Sequence, residues 1–163
     1  MYDRVLLNEL PCALVLENDA KLASAFAQRL HALSVPWEEV DLLKLGSCEI
    51  APANHGAHAT ATPHDWVRRP LRLVAGSGGW CTSGYIITQR AARIVRDVQT
   101  PVWTVADGAL RLWDNSTRAA VRMRSGASPP ALRVRHTLPF VVTQNEQLHR
   151  RSELGAHWDG WSG

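Results

Sequence analysis

An α/β domain with a mostly parallel sheet is the fold class the sequence predicts, on three observations. Short apolar runs of strand length alternate with segments whose apolar residues recur at helical spacing. The first run, Ala13–Leu16, is continuously apolar and closes on Glu17-Asn18-Asp19, the pattern of a strand buried on both faces. The chain has 163 residues, 45% hydrophobic and 20% charged, enough to bury one core and too apolar for a disordered chain. A single domain over residues 1–163 follows.

Each element has a local reason. Tyr2–Leu10 carries Val5, Leu6 and Leu10 and predicts a short helix that Pro11 ends. From Lys21, the residues Leu22, Ala25, Phe26, Leu30 and Leu33 fall at helical spacing, which predicts a helix stopping before Pro36. Val40–Leu45 reads as a second strand, punctuated by Gly46. Residues 47–70 hold Pro52, Gly56 and Pro63 among His55, His58 and His64 and follow no period, so a long loop is expected, either a lid or disordered. Leu71–Val74 and Tyr85–Thr88 read as strands on either side of the Gly76-Ser77-Gly78-Gly79 turn. Gln89–Val98 predicts a helix with Ala92 and Val95 facing inward, and Asp107–Trp113 a further helix. Leu132–Val134 and Phe140–Val142 read as extended, and residues 155–163 as a flexible tail.

Charge and cysteine usage exclude several function classes. The net charge is +3, and its basic side is almost all arginine, with Lys21 and Lys44 the two lysines. The densest basic segment is Arg118, Arg122, Arg124, Arg133 and Arg135; it has no interleaved aromatic residues and no helix-turn-helix pattern. It therefore reads as a solvated basic face, or a face toward an anionic substrate, and not as a nucleic-acid module. No apolar run approaches the ~18–20 residues of a membrane-spanning helix. The first residues lack a basic start, a long apolar stretch and a small-residue cleavage site, so a cytoplasmic protein is expected. Cys12, Cys48 and Cys81 form no C-x-x-C pair, and each reads as a small buried hydrophobe.

Three segments could carry chemistry. In an extended strand end, Glu17 and Asp19 are two apart and point the same way, which suits a hard divalent cation that keeps its waters and meets substrate phosphates. The competing reading is that Asn18-Asp19 caps the helix expected from Lys21. The small residues Thr82, Ser83 and Gly84 before Tyr85 either admit a ligand or form a tight turn. Asp107 opens a helix and is an N-cap or a general base, which geometry decides. His55, His58 and His64 lack the regular fourth ligand of a zinc site and read as polar loop residues. Among phosphate loops, Gly76-Ser77-Gly78-Gly79 has the glycines but not the lysine.

Taken in order, these segments resemble family 25 glycosyltransferases, which include lipooligosaccharide β-galactosyltransferases and collagen galactosyltransferases. LVLENDAKLASAF (Leu14–Phe26) resembles the family's strand-plus-acid signature, usually Glu-Asp-Asp. VDLLKLG (Val40–Gly46) resembles its next strand, and TSGYIITQRAARIV (Thr82–Val95) its Ser/Thr–Gly/Ala–Tyr strand with the following helix. PVWTVADGAL (Pro101–Leu110) is similar to the Pro-x-Asp segment, and LPFVVTQNEQLHRRSEL (Leu138–Leu154) to the closing Pro…Gln…Ser segment. The likeness spans residues 8–154 and begins at the family's acid strand, so it implies a domain without the family's N-terminal portion.

The resemblance implies a GT-A-like, Rossmann-like fold and transfer of a sugar from UDP-galactose or UDP-glucose to a hydroxyl of a glycan or lipooligosaccharide acceptor. It implies a divalent metal, Mn²⁺ or Mg²⁺, with Asp19 and Glu17 as ligands and Asp107 as the base. Glu17, Asn18, Thr82, Ser83, Gly84 and Tyr85 would line the donor or acceptor. It also implies work in the cytoplasm, peripheral to the inner face of a membrane, and a homodimer would cover the sheet edge that the absent strands expose. Asn18 stands where the family carries a carboxylate. The alternative is a family remnant without catalysis, a sugar- or partner-binding domain.

Overall fold

The computed structural model describes residues 1–46, 70–75, 83–102, 106–112 and 114–144. In chain order the elements are α1 (Tyr2–Leu7), β1 (Cys12–Leu16), β2 (Ala20–Leu22), α2 (Phe26–His31), β3 (Leu42–Lys44), β4 (Arg72–Ala75) and β5 (Gly84–Thr88). They continue with α3 (Gln89–Val98), α4 (Ala106–Leu110), α5 (Asn115–Ser125), β6 (Val134–Leu138) and β7 (Val142–Gln144). Five strands form one sheet in the order β1-β5-β3-β6-β4, and β2 pairs with β7 in a separate two-stranded ladder.

The class is α/β, but the sheet is mixed and mostly antiparallel, which corrects the parallel expectation. Only β3 and β6 run parallel among the described pairs. The reason lies in β5, which inserts between β1 and β3 and runs against both. As a result β1, β3 and β6 share a direction, and their carboxyl ends lie at one edge of the sheet.

Strand alternation splits the core in two. On one face Leu42, Tyr85, Ile87 and Val134 pack with Val5 of α1, Ala91, Ala92 and Val95 of α3, and Ala109, Leu110 and Val121 further on. On the other face Leu43, Leu45 and Ile86 pack with Val141, Val142, Phe26 and Leu30. The helix α3 has the bounds its sequence predicts. The hydroxyl of Thr88 accepts from the Ala91 N–H at 3.3 Å and starts it, while Ala91, Ala92 and Val95 form its buried stripe.

Several expectations change. The strand β1 is not buried on both faces: it is an edge strand with exposed and half-buried residues alternating, and Leu14 and Leu16 on one of its faces are exposed. Cys12, at its start, is exposed and is not a buried hydrophobe; Cys48 and Cys81 lie outside the described residues. The helix expected from Lys21 is shorter and later, because Ala20–Leu22 pairs with β7 as a strand. The helix α5 was not expected at all. Asp114 caps it, its Oδ1 accepting from the Ser116 N–H at 3.0 Å, and Gly126 at φ +75° closes it. The loop over 47–70 lies outside the described residues except for Pro70, as do the glycine turn at 76–79 and the tail at 155–163.

Candidate functional site at the carboxyl edge

The carboxyl edge is built by the last residue of β1 and the first of β5. Leu16 stands opposite Gly84 in the antiparallel register, and the Glu17 N–H donates to the Ser83 carbonyl oxygen at 3.2 Å. Thus Glu17 and Ser83, 66 positions apart in sequence, are backbone partners at the rim. From here the chain turns sharply. The Glu17 carbonyl accepts from the Ala20 N–H at 3.1 Å, placing Asn18 and Asp19 at the two centres of a four-residue turn.

That turn settles two readings. Glu17 and Asp19 are not consecutive outward positions of one extended strand, so the same-side argument does not apply; they are the first and third residues of a turn. Asn18-Asp19 does not cap a helix, because Ala20 enters β2 and α2 begins with Ala25 as its N-cap and no side-chain cap. Asp19 is buried at 8% exposure, Glu17 half-buried and Asn18 exposed. A buried carboxylate in a tight turn at a sheet edge is costly to desolvate, so its place there requires partners inside the fold.

Ser83 is fully buried, and its hydroxyl has no hydrogen-bond partner among the described residues. Such a group is rare enough to require a reason. Gly84 is there because nothing larger fits: a Cβ would sit 2.9 Å from both Val142 methyls and 3.0 Å from a Leu16 methyl. Tyr85 points to the helical face, 3% exposed, with its hydroxyl 3.3 Å from that of Tyr2. It is a core residue bridging β5 to α1. Thr82 lies outside the described residues, and so does the side chain of Asp107, whose backbone lies in the first turn of α4.

Beside the rim runs a feature the sequence reading did not single out. Lys44 stands opposite Tyr85 on one side and His136 on the other, so three polar residues form one row across β5, β3 and β6. Lys44 is 2% exposed and His136 8%. The available signal was a lysine inside the apolar run VDLLKLG, where a buried strand has no ordinary use for a charge.

Among the described residues, no group of three or more His, Cys, Asp or Glu comes together to hold a metal. Glu17 and Asp19 supply two carboxylates. Magnesium-type ions that keep several waters are held by one or two carboxylates beside substrate phosphates, so the donor set fits that class of ion. No family model and no curated protein matches the chain.

Proposed function

We propose that the chain is a sugar-transferring domain of the family 25 glycosyltransferase kind, with its donor site at the edge where β1 ends and β5 begins. One observation carries the reading. The two segments that resemble the family's acid and Ser-Gly-Tyr motifs meet there, through the Leu16–Gly84 register and the Glu17–Ser83 hydrogen bond. The buried Ser83 hydroxyl, without a partner among the described residues, gives a polar ligand something to satisfy.

In this reading Asp19 and Glu17 would hold a divalent cation, Mn²⁺ or Mg²⁺, with Asn18 standing where the family carries a further carboxylate. The cation would supply charge stabilisation for the departing nucleoside diphosphate. The acceptor hydroxyl forms a bond to the anomeric carbon as the bond to the diphosphate oxygen breaks, and Asp107 takes the hydroxyl proton. The donor is UDP-galactose or UDP-glucose and the acceptor a glycan.

A second reading, a sugar- or partner-binding domain without transfer, is favoured by Asn18 and by the absence of a three-ligand group among the described residues. Thermal unfolding of the full chain with UDP, UDP-galactose and UDP-glucose, each with Mn²⁺ and with EDTA, tests the site. A ligand at ~100 times its dissociation constant adds about 2.7 kcal/mol to the folded state. The transferase reading expects a shift that needs nucleotide and metal together. No shift with any donor contradicts it.

A further inference from the structure

The strand β1 is bonded on one side only, and the register says which of its backbone groups are left over. The Glu17 N–H donates to the Ser83 carbonyl, and the Pro11 carbonyl accepts from the Gln89 N–H. Both pairs continue the register that runs from Cys12↔Thr88 to Leu16↔Gly84. In an antiparallel pair, alternate residues bond to the same neighbour. Ala13 and Val15 therefore bond to β5, while the N–H and C=O groups of Cys12, Leu14 and Leu16 point away from the sheet. Among the described residues no other strand or loop backbone bonds to them.

Sheets commonly guard such an edge with a lysine, a proline or a bulge inside the strand. Here the strand is CALVL and its register is unbroken. The residues whose backbone faces outward also carry the exposed side chains, with Leu14 45% and Leu16 39% exposed. Leu14 stands opposite Ile86, and Leu16 meets the Gly84 position beside Val142, so both leucines border the Leu43, Ile86 and Val142 core. A strand added at this edge satisfies the outward backbone groups and lays alternate side chains against Leu14 and Leu16. The charges at the ends of β1 select what is added. From Asn8 to Asp19 the chain carries Glu9, Glu17 and Asp19 and no basic residue. Two copies paired antiparallel through β1 set the Glu9 end of one against the Glu17 end of the other, so like charges meet at both ends. A segment with basic ends gains where a second copy loses.

We infer that the open edge of β1 takes an extended segment of a partner polypeptide as an added strand, apolar at alternate positions and basic at each end. The site does not depend on sugar transfer. The test is amide hydrogen exchange of the full chain with the synthetic peptide Arg-Thr-Val-Thr-Val-Thr-Val-Thr-Arg. In the free chain Leu14 and Leu16 exchange fast and Ala13 and Val15 slowly, and the peptide slows Leu14 and Leu16. N-methylation of the middle valine of the peptide removes one ladder bond and weakens binding roughly fivefold. Replacing both of its arginines by glutamate weakens binding as well. Leu14→Pro removes an N–H that faces solvent in the free fold and abolishes binding. Leu14→Lys, which keeps every backbone group, weakens it, and circular dichroism checks that both variants are folded. No slowing of Leu14 and Leu16 by the peptide, or equal binding of the N-methylated peptide, overturns the inference. Slow exchange of Leu14 in the free monomer overturns it too, because the chain then covers its own edge. A dimer that Leu14→Lys dissociates assigns the edge to a second copy and also overturns it.

Discussion

Asp41 grips the Arg133 guanidinium with both carboxylate oxygens, Nη2 to Oδ1 and Nε to Oδ2, each at 3.0 Å. The Arg133 backbone N–H donates to the same carboxylate at 2.8 Å, and Arg90 at the start of α3 adds a third arm at 2.5 Å. The Asp41 N–H in turn donates to the Arg133 carbonyl at 2.8 Å. One buried carboxylate therefore ties the entry of β3 to the entry of β6 and to the first turn of α3. It fixes the parallel β3–β6 pair, and hence which strand ends share an edge.

Loss of that carboxylate should be felt throughout. Asp41→Asn removes the charge that organises two arginines. Hydrogen bonds to charged groups are worth about 1.5–3 kcal/mol each, but both guanidiniums are half-exposed and recover water, so a loss of about 2–3 kcal/mol is expected in urea unfolding. Burial pushes the Asp41 carboxyl up, and the hydrogen bonds from Arg133 and Arg90 outweigh it, leaving it below the usual carboxylate range. A carboxyl lowered on folding contributes stability above its unfolded value of about 3.9, and this is lost as the pH falls through the folded value. Unfolding midpoints of wild type and variant should therefore differ at neutral pH and converge in acid. A gap that persists in acid would show that the charge is not what matters.

Two backbone positions should respond in opposite directions. Ala25, at the N-cap of α2, has φ +55°, a left-handed conformation that costs an L-residue about 1–2 kcal/mol. Ala25→Gly relieves it at some cost in unfolded-chain entropy, so a gain of up to about 1 kcal/mol is expected. Gly126, at φ +75°, has open space where its Cβ would be, so Gly126→Ala should lose about 1 kcal/mol through backbone strain alone. Urea midpoints of the two variants check both signs.

Gly46 and Gly84 are fixed by sterics at the rim. A Cβ on Gly46 would overlap the Val142 carbonyl oxygen, and one on Gly84 would press the Val142 and Leu16 side chains. The first obstacle is backbone and the second is side chain. Gly46→Ala should therefore cost more than Gly84→Ala, with about 1–3 kcal/mol expected for the milder case. Thermal unfolding of the pair reads the order directly.

Within the proposed transferase, the two acids have separable effects. Asp19→Asn is expected to abolish the metal-dependent part of UDP-galactose binding while the fold stays intact. Asp107→Asn should keep donor binding and lose transfer, as expected of a base that meets the acceptor. Calorimetric titration with and without Mn²⁺, run beside a transfer assay, separates them. Unchanged donor affinity in Asp19→Asn removes that residue from the site.

The legibility of this chain in its sequence varies with the range of the forces involved. The helix α3 is readable because its period, its Thr88 cap and its length are all local. The helix α5 was equally marked by Asp114 and Gly126, but its arginines masked a thin apolar stripe of which only Val121 is buried. Sheet direction was not legible. Ala13–Leu16 is apolar enough for a central parallel strand, yet β1 pairs with β5 on one side only and lies at the edge of the sheet. The site followed the same rule. Glu17 and Ser83 were found as separate motifs, whereas their meeting depends on a register spanning 66 residues. Lys44 was missed as a neighbour of Tyr85 and His136 for the same reason.

The central claim is that the turn after β1 and the start of β5 form one donor site. Backbone amide resonances of the full chain, recorded as Mn²⁺ is titrated in with UDP present, test it most directly, because the paramagnetic ion broadens nearby amides. Selective loss of signal at residues 17–20 and 83–85 together, absent in Asp19→Asn, is the predicted result. Broadening centred elsewhere, or none at either segment, would contradict it.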